Sequence, residues 1–296
     1  MMRWTARDIR SLGEGLVYLA PSLVLFAVFV FIPLGRTFYL SLFNTRVTGQ
    51  ATTFNGIDHY IGLVTSPTFQ SGLVATGLFA LYTVPVGIAL GLVLAVLLNQ
   101  RLRGINLFRT MMASTIAISA AVGALIWNLL FNPSLGLLNY VLSLVGIRGP
   151  EWLIQPGIAV VAVSVTTIWL TLGTNIIVLL AGLQGIPEEI YEAARLDGAR
   201  GLRMFSRITV PMVSPSLFFL LVVDTVGVLQ VFTQIHLLTR GGPVDATRTL
   251  VYSIYLDAFQ NFQFGYASAE SVVLFVLVLC LTVIQFRFIE RRVHYQ

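Results

Sequence analysis

Residues 187–211 read PEEIYEAARLDGARGLRMFSRITVP, a charged segment that lies between two long apolar runs. Glu188 and Glu189 follow the opening proline, and acidic residues in a first turn favour the positive end of the helix dipole. Gly198 interrupts the helical pattern, because glycine inside a helix costs about 1 kcal/mol relative to alanine. The segment therefore predicts two short helices set at an angle, the second over about 200–208.

The composition of the chain indicates a membrane protein. The chain has 296 residues, of which 56% are hydrophobic and 10% are charged, with a mean hydropathy of +0.85. A soluble domain carries about 25% charged residues. A chain with such a small share of charged residues cannot cover a water-facing surface. Most of it must therefore face lipid.

The basic residues, the cysteine and the histidines exclude several kinds of site. All 18 basic residues are arginine, so a Walker A lysine, a Schiff-base lysine and a Ser-Lys dyad are excluded. Cys280 is the only cysteine, which excludes a disulfide framework within the chain and a cysteine zinc site. His59, His236 and His294 are too scattered to predict a metal site. We therefore expect no catalytic residue and no metal ligand.

Six charge-poor runs are long enough to cross a bilayer. At about 1.5 Å per residue, roughly 20 residues cross a hydrocarbon core of about 30 Å. The sequence therefore predicts an all-α polytopic protein, with residues 1–296 forming one transmembrane domain. The six predicted spans are about 15–38, 71–98, 108–131, 152–183, 212–238 and 267–288.

The distribution of arginine predicts the orientation. With the N-terminus inside, thirteen arginines fall on the cytoplasmic side and five on the outer side, as the positive-inside rule requires. The excess of arginine on the cytoplasmic side also explains the pI near 9.7 without a nucleic acid partner. The basic start could instead belong to a cleaved signal peptide, but the apolar run is long and lacks an Ala-x-Ala site. We expect a retained first helix, with both termini and residues 187–211 in the cytoplasm.

A charged cytoplasmic segment of this kind has two interpretations. It could be an amphipathic connector that rests on lipid headgroups, or a docking element for a soluble protein. The EAA tripeptide at 192–194, with Gly198, Ile208 and Pro211 at matching spacings, resembles the EAA loop of permeases in bacterial type I ABC importers. Val210 differs from the leucine that precedes the proline in that family.

The resemblance implies a fold, a role and a set of partners. The fold would be that of a type I ABC-importer permease in a bacterial plasma (inner) membrane, with a cytoplasmic coupling helix in the loop 186–211. The partners would be a second homologous permease subunit, two cytoplasmic ATPase subunits that bind ATP and Mg, and an extracytoplasmic substrate-binding protein. The chain itself would hold no cofactor. The implied ATPase-coupling residues are Glu189, Glu192, Ala193, Ala194, Asp197, Gly198, Ile208 and Pro211.

The resemblance extends over most of the chain. FNGIDHY at 54–60 and TRGGP at 239–243 resemble the sugar-type permeases of this family, whereas residues 113–115 lack a proline that relatives often have. FNP at 131–133 and SVVL at 271–274 resemble the permeases of sn-glycerol-3-phosphate importers. The implied cargo is sn-glycerol-3-phosphate or a glycerophosphodiester. A neutral sugar stays open as an alternative, and an ATP-independent secondary transporter is a distant one.

Four polar residues inside the predicted spans are candidates for the substrate pathway. Asp224 lies in mid-span, where a charge is costly unless it faces protein or water; it could line the pathway or be a helix–helix partner. Asn175 could likewise form an interhelical hydrogen bond or face the pathway. Helical arcs place Gln230 and Gln234 on one face, well round from Asp224. Glu270 falls near the outer end of the sixth span, where we expect partial hydration.

Overall fold

The computed structural model describes residues 6–100 and 102–293. Arg3 and Arg101, two of the thirteen arginines counted on the cytoplasmic side, lie outside these residues, as does His294. The chain divides into two compact units, one made of Met1–Leu63 and Ile254–Val273 and the other of Val64–Ser253 and Leu274–Gln296.

The elements follow one another as a helical chain with one short hairpin. In the first part they are α1 (Ala6–Phe26), a π-helical turn (Ala27–Phe31), α2 (Ile32–Leu40), β1 (Phe43–Thr45), β2 (Ala51–Phe54), α3 (Asp58–Thr65), α4 (Pro67–Leu98), α5 (Ile105–Ala113), a 3-10 turn (Ser114–Ala117), α6 (Ala120–Leu130), α7 (Leu137–Leu144) and α8 (Pro156–Gln184). In the second part they are α9 (Glu188–Leu196), α10 (Gly201–Met204), a π-helical turn (Phe205–Thr209), α11 (Val210–Met212), α12 (Ser214–Leu229), α13 (Thr233–Leu238), α14 (Leu250–Tyr255), a π-helical turn (Leu256–Gln260), α15 (Phe264–Ile284), a π-helical turn (Gln285–Ile289) and a 3-10 turn (Glu290–Arg292).

Among the described residues, four helices are long and apolar enough to cross a membrane, and six spans result if each bent pair of helices counts as one. The four are Val17–Leu40, Pro67–Leu98, Pro156–Gln184 and Phe264–Ile289. The bent pairs are Ile105–Ala117 with Ala120–Leu130, at 104°, and Gly201–Met212 with Ser214–Leu229, at 67°. The structure is thus an all-α membrane fold.

Two of the predicted spans are not continuous helices. The span predicted over 108–131 breaks at Ile118, whose backbone is extended, and Ser119 then caps α6 by accepting from the Val122 amide at 3.3 Å. The span predicted over 212–238 ends as a helix at Leu229, and α13 starts only at Thr233. Neither break carries a proline, glycine or charge, and Ser119, a residue type preferred at helix N-caps, is the local signal that the first one offers.

The first unit holds the β-hairpin, whose strands pair antiparallel with Phe43 opposite Phe54. The hairpin is tied to the start of α15, because the Gly265 amide donates to Thr45 Oγ1 at 3.0 Å. Glu270 of α15 is only 2% exposed, so the expectation of a partly hydrated carboxyl is wrong. Its neighbours Gly265 and Ala269 are buried too, and such small residues allow elements to pack closely around it.

The second unit is built on α4 and α8. Gly91 of α4 lies against Asn175 of α8, where an added Cβ would meet the Asn175 Cβ at 3.0 Å. Gly87, one turn earlier, faces Ile168 and Asn175. These glycines let the two helix backbones approach, as small residues do in membrane helix pairs. An apolar core near the C-terminal ends of α4 and α8 consists of Leu92, Ala95, Leu179, Leu183, Ile186, Val213 and Leu220.

Candidate functional site

The charged segment forms α9, and a C-terminal Schellman motif ends it. The Gly198 amide donates to the Arg195 carbonyl at 3.0 Å, and the Ala199 amide donates to the Ala194 carbonyl at 2.9 Å. This pairing needs a left-handed residue after the helix, and Gly198 has φ +80°. A Cβ added at Gly198 would meet nothing within 4 Å. The glycine is therefore required by the backbone conformation and not by a lack of space.

The two faces of α9 differ in exposure. Ile190 and Tyr191 pack against the apolar core of the second unit, and Ala194 is 7% exposed. The opposite face is exposed and apolar at its end, where Leu196 is 90% exposed. The exposed residues of that face follow the i, i+3, i+4, i+7 spacing of one helical stripe: they are Glu189, Glu192, Ala193 and Leu196. We call this set the outer face of α9.

The second half of the segment is helical from Gly201 to Met212, longer than the predicted 200–208. Leu202 is 78% exposed on it, whereas Phe205, Val210 and Met212 pack against the apolar core. The second helix thus continues to the end of the segment and ends in a 67° bend before α12.

The eight predicted coupling residues separate into two groups in the structure. The exposed ones are Glu189, Glu192, Ala193, Asp197 and Gly198, and the buried or half-buried ones are Ala194, Ile208 and Pro211. The exposed group is accessible to a partner, whereas the other group is shielded, next to Val210 and Met212, which pack against the apolar core. Because that core draws on α4, α8 and α12, a displacement of α9 would be transmitted to three membrane helices.

A water-accessible recess of about 670 Å³ lies behind α9. Its lining includes Arg195 and Glu188 from α9, and Arg109 from α5. Arg109 donates from Nε and Nη2 to the Leu98 carbonyl at 3.0 and 2.8 Å, and so satisfies a free carbonyl at the C-terminal end of α4. The sequence argument did not assign this role, since Arg109 and Leu98 are eleven positions apart.

The structure brings two of the four pathway candidates together. Asn175 Nδ2 donates to Asp224 Oδ2 at 2.9 Å, which joins α8 to α12. Asn175 is fully buried, and its Oδ1 has no hydrogen-bond partner among the described residues. This contact satisfies the requirement that a carboxyl in a membrane helix faces protein.

The shared face predicted for Gln230 and Gln234 is wrong. Gln230 lies just past the end of α12 and is exposed, whereas Gln234 is in α13 and is 7% exposed. The prediction assumed that one continuous helix carries both residues. The break at 230–232 interrupts that helix, so the two side chains do not share a helical face. Of the two, Gln230 alone continues an exposed stripe of α12, which runs along Phe219, Val223 and Gly227.

Residues 87–295 match the family of binding-protein-dependent transport system inner membrane components. The match covers more than half of the chain, so the chain belongs to this family, and the resemblance seen in the EAA loop is confirmed. The class is therefore an inner-membrane permease component of a transport system.

Curated relatives match almost the whole chain. It is 38% identical over 93% of its length to the sn-glycerol-3-phosphate transport system permease protein UgpA of Agrobacterium fabrum, with 94% of that protein covered. It is 36% identical over 93% of its length to the protein of that name from Yersinia pestis, again with 94% of the relative covered.

Solved structures share the fold. A chain of a bacterial alginate ABC transporter, in complex with an alginate pentasaccharide-bound periplasmic protein, superposes with a TM-score of 0.82 at 24% identity, over 96% of each chain. A chain of a bacterial ABC transporter that imports the acidic polysaccharide alginate gives a TM-score of 0.79 at 26% identity, over 95% of this chain and 98% of that one. The prediction of the type I ABC-importer permease fold is confirmed.

Proposed function

We propose that the chain is one of two permease subunits in an ABC importer for sn-glycerol-3-phosphate or related glycerophosphodiesters. The observation that carries the substrate is the 38% identity, across 93% of the chain, to a relative named as an sn-glycerol-3-phosphate permease. Similarity of this extent covers the predicted spans and the loops on both sides of the membrane, and not only the EAA loop that permeases of the family share.

The proposed assembly contains a second homologous permease, two cytoplasmic ATPases and an extracytoplasmic binding protein. The family description supports the binding protein. ATP and Mg would bind to the ATPases and not to this chain, which would form half of the pathway and catalyse no bond chemistry. The arginine distribution, thirteen inside against five outside, supports an orientation with both termini and α9 in the cytoplasm.

The outer face of α9 is the proposed contact with one ATPase. Its carboxylates, Glu189 and Glu192, give it charge, and the exposed Leu196 gives it an apolar end that water does not favour. The inner face is packed on the core shared by α4, α8 and α12. When ATP closes the two ATPases, α9 moves with its ATPase, and the three helices move with α9 as a packed body.

The pathway would open alternately to the two sides of the membrane as these bodies move. We assign Gln230 to the pathway because its side chain is exposed at the end of the exposed stripe of α12. We assign Asn175 and Asp224 to helix packing, because their side chains bond to each other between α8 and α12. Gln234 is buried in α13 and is assigned to packing as well.

Uptake competition tests the substrate. Cells that lack other glycerol-3-phosphate importers and express the complete system should take up labelled sn-glycerol-3-phosphate. Unlabelled glycerophosphodiesters should compete with it, and neutral disaccharides should not. Uptake of a neutral sugar without competition from glycerol-3-phosphate would contradict the proposed substrate and leave the proposed permease role intact. Uptake that persists when the ATPase partner is deleted would overturn the role itself.

A further inference from the structure

The connection between α6 and α8 carries a helix with an unusual exposed surface. Five residues of α7 and its C-terminal cap are each more than half exposed, and none is charged: Leu137, Tyr140, Val141, Leu144 and Val145. Leu137, Tyr140, Val141 and Leu144 follow the i, i+3, i+4, i+7 spacing of a single stripe. Leu135 before it and Ile147 after it are 89% and 54% exposed. We call this surface the α7 stripe.

The opposite side of α7 is fixed to its own loop by hydrogen bonds. Asn139 Nδ2 donates to the carbonyls of Pro133 and Pro150, each at 3.3 Å, and Asn139 Oδ1 accepts from Trp152 Nε1 at 2.7 Å. A side chain at Gly149 would collide with Asn139. These bonds set the rotation of α7 about its axis, so the stripe is held facing away from the protein.

The N-terminal end of α7 is tied closely to α6. Six residues separate Leu130, the last of α6, from Leu137, and a chain extends by at most roughly 3.5 Å per residue. The connection is shorter than that limit, because the Gly136 amide donates back to the Asn132 carbonyl at 2.9 Å. The helix is therefore held near the level at which α6 leaves the membrane.

Three observations favour lipid over water or protein as the environment of the stripe. An exposed apolar surface of this extent is not stable in water. The sequence has no charged residue between Arg109 and Arg148, whereas the rim of a protein docking site is usually polar. The preceding helix α6 is itself apolar and exposed, since Val122, Leu125 and Leu129 are 51%, 55% and 72% exposed.

The polar groups of α7 and of the residues that follow it are compatible with a position at the headgroup boundary. Ser143 Oγ donates to the Tyr140 carbonyl at 2.6 Å, so the hydroxyl has a partner without water. Tyrosine is enriched at membrane interfaces, and Tyr140 is 61% exposed. Arg148 is exposed and directly follows the uncharged residues 110–147, a position from which it can pair with lipid phosphates.

We propose that α7 is an interfacial helix whose stripe is buried in the bilayer, at the boundary between headgroups and acyl chains. The leaflet is the outer one in the orientation proposed above; the lipid contact itself depends neither on that orientation nor on the substrate. Helices of this kind place their apolar side about 5–10 Å below the headgroup surface. The partner of the surface is thus lipid, and not the binding protein or the second permease.

Fluorescence quenching in nanodiscs tests this inference with the complete transporter. Single cysteines replace Val141 and Leu144 in a background in which Cys280→Ser removes the native thiol, and each carries a small fluorophore. The matched control is Val244→Cys: Val244 is 91% exposed next to the exposed Asp245, in the loop between α13 and α14. Retained ATPase activity of each purified complex shows that the labelled variants are assembled.

The inference predicts strong quenching at 141 and 144 by a lipid with a nitroxide high on its acyl chain. Quenching by a nitroxide near the chain end should be weaker, and iodide should have little effect, with or without binding protein. The label at 244 should respond to iodide and not to the nitroxide lipids. Iodide quenching at 141 and 144 would overturn the inference. So would shielding from both quenchers, which would show a protein covering the stripe.

Discussion

At the scale of single residues, Gly198 is where backbone geometry and the proposed coupling meet. Its left-handed conformation ends α9 and turns the chain into the second helix of the segment. An L-residue in this conformation costs roughly 1–2 kcal/mol. A substitution at Gly198 would therefore strain the connection between the outer face of α9 and the helix that leads into α12. Movement is proposed to be transmitted through this connection.

The chain provides a matched control for Gly198. Gly146 ends α7 in the same way: it has φ +75°, an added Cβ would meet nothing within 4 Å, and its amide donates to the Ser143 carbonyl at 3.0 Å. Gly198→Ala and Gly146→Ala should therefore lower stability by similar amounts, about 1–2 kcal/mol. Only Gly198→Ala should lower the substrate transported per ATP hydrolysed. Equal transport ratios for the two variants would contradict the coupling role.

The Asn175–Asp224 pair gives a second prediction at this scale. Asp224→Asn keeps an oxygen that can accept from Asn175 Nδ2, so packing and uptake should be preserved if the pair is structural. Asn175→Ala removes the donor and should lower the stability of the assembled complex by about 0.5–2 kcal/mol, the range found for interhelical hydrogen bonds in membranes. Thermal inactivation and uptake measure the two effects. An assembled Asp224→Asn transporter without uptake would place the charge in the pathway.

At the scale of elements, α9 is a helix with one face that packs on the core and one exposed face, which is the proposed contact with a partner. The neighbouring residues Ala193 and Ala194 separate the two, because Ala193 is exposed and Ala194 is 7% exposed. The same substitution at the two positions therefore tests the two faces independently.

Ala193→Leu should leave folding intact and weaken association with the ATPase, since it changes only the outer face. Ala194→Leu should overpack the inner face, at a typical cost of 1–3 kcal/mol, and lower the amount of folded protein. Co-purification of the ATPase and the thermal stability of the permease distinguish these results. If Ala193→Leu bound the ATPase normally and still transported, the outer face would not be the docking surface.

The elements also show what the sequence could predict. Absence of charge predicted spans in the regions of the four long apolar helices and of the two bent helix pairs, because burying charge in lipid is costly wherever it occurs. The glycine at 198 and the charges around it predicted the two helices of the charged segment. The breaks at Ile118 and at 230–232 were missed, because neither carries a proline, glycine or charge. The partner of Asn175 is 49 positions away and depends on how α8 and α12 pack, which no local pattern encodes.

At the scale of the whole molecule, the proposed function is that of a permease that moves cargo and leaves energy supply and selection to partners. In this proposal both termini and α9 lie in the cytoplasm, the spans form half of the pathway, and α9 connects the pathway to ATP hydrolysis. The family is established by the match over 87–295, and the proposed cargo is the one named for relatives that are 36–38% identical to this chain.

The measurement that tests the central claim most directly is ATP hydrolysis by the complete complex reconstituted in liposomes. The complex contains this chain, the second permease and the two ATPases, and the binding protein is added from outside. We predict that binding protein loaded with sn-glycerol-3-phosphate raises the hydrolysis rate and drives accumulation of the labelled substrate. Binding protein without substrate should do much less. Accumulation without ATP, or a hydrolysis rate indifferent to the loaded binding protein, would contradict the account.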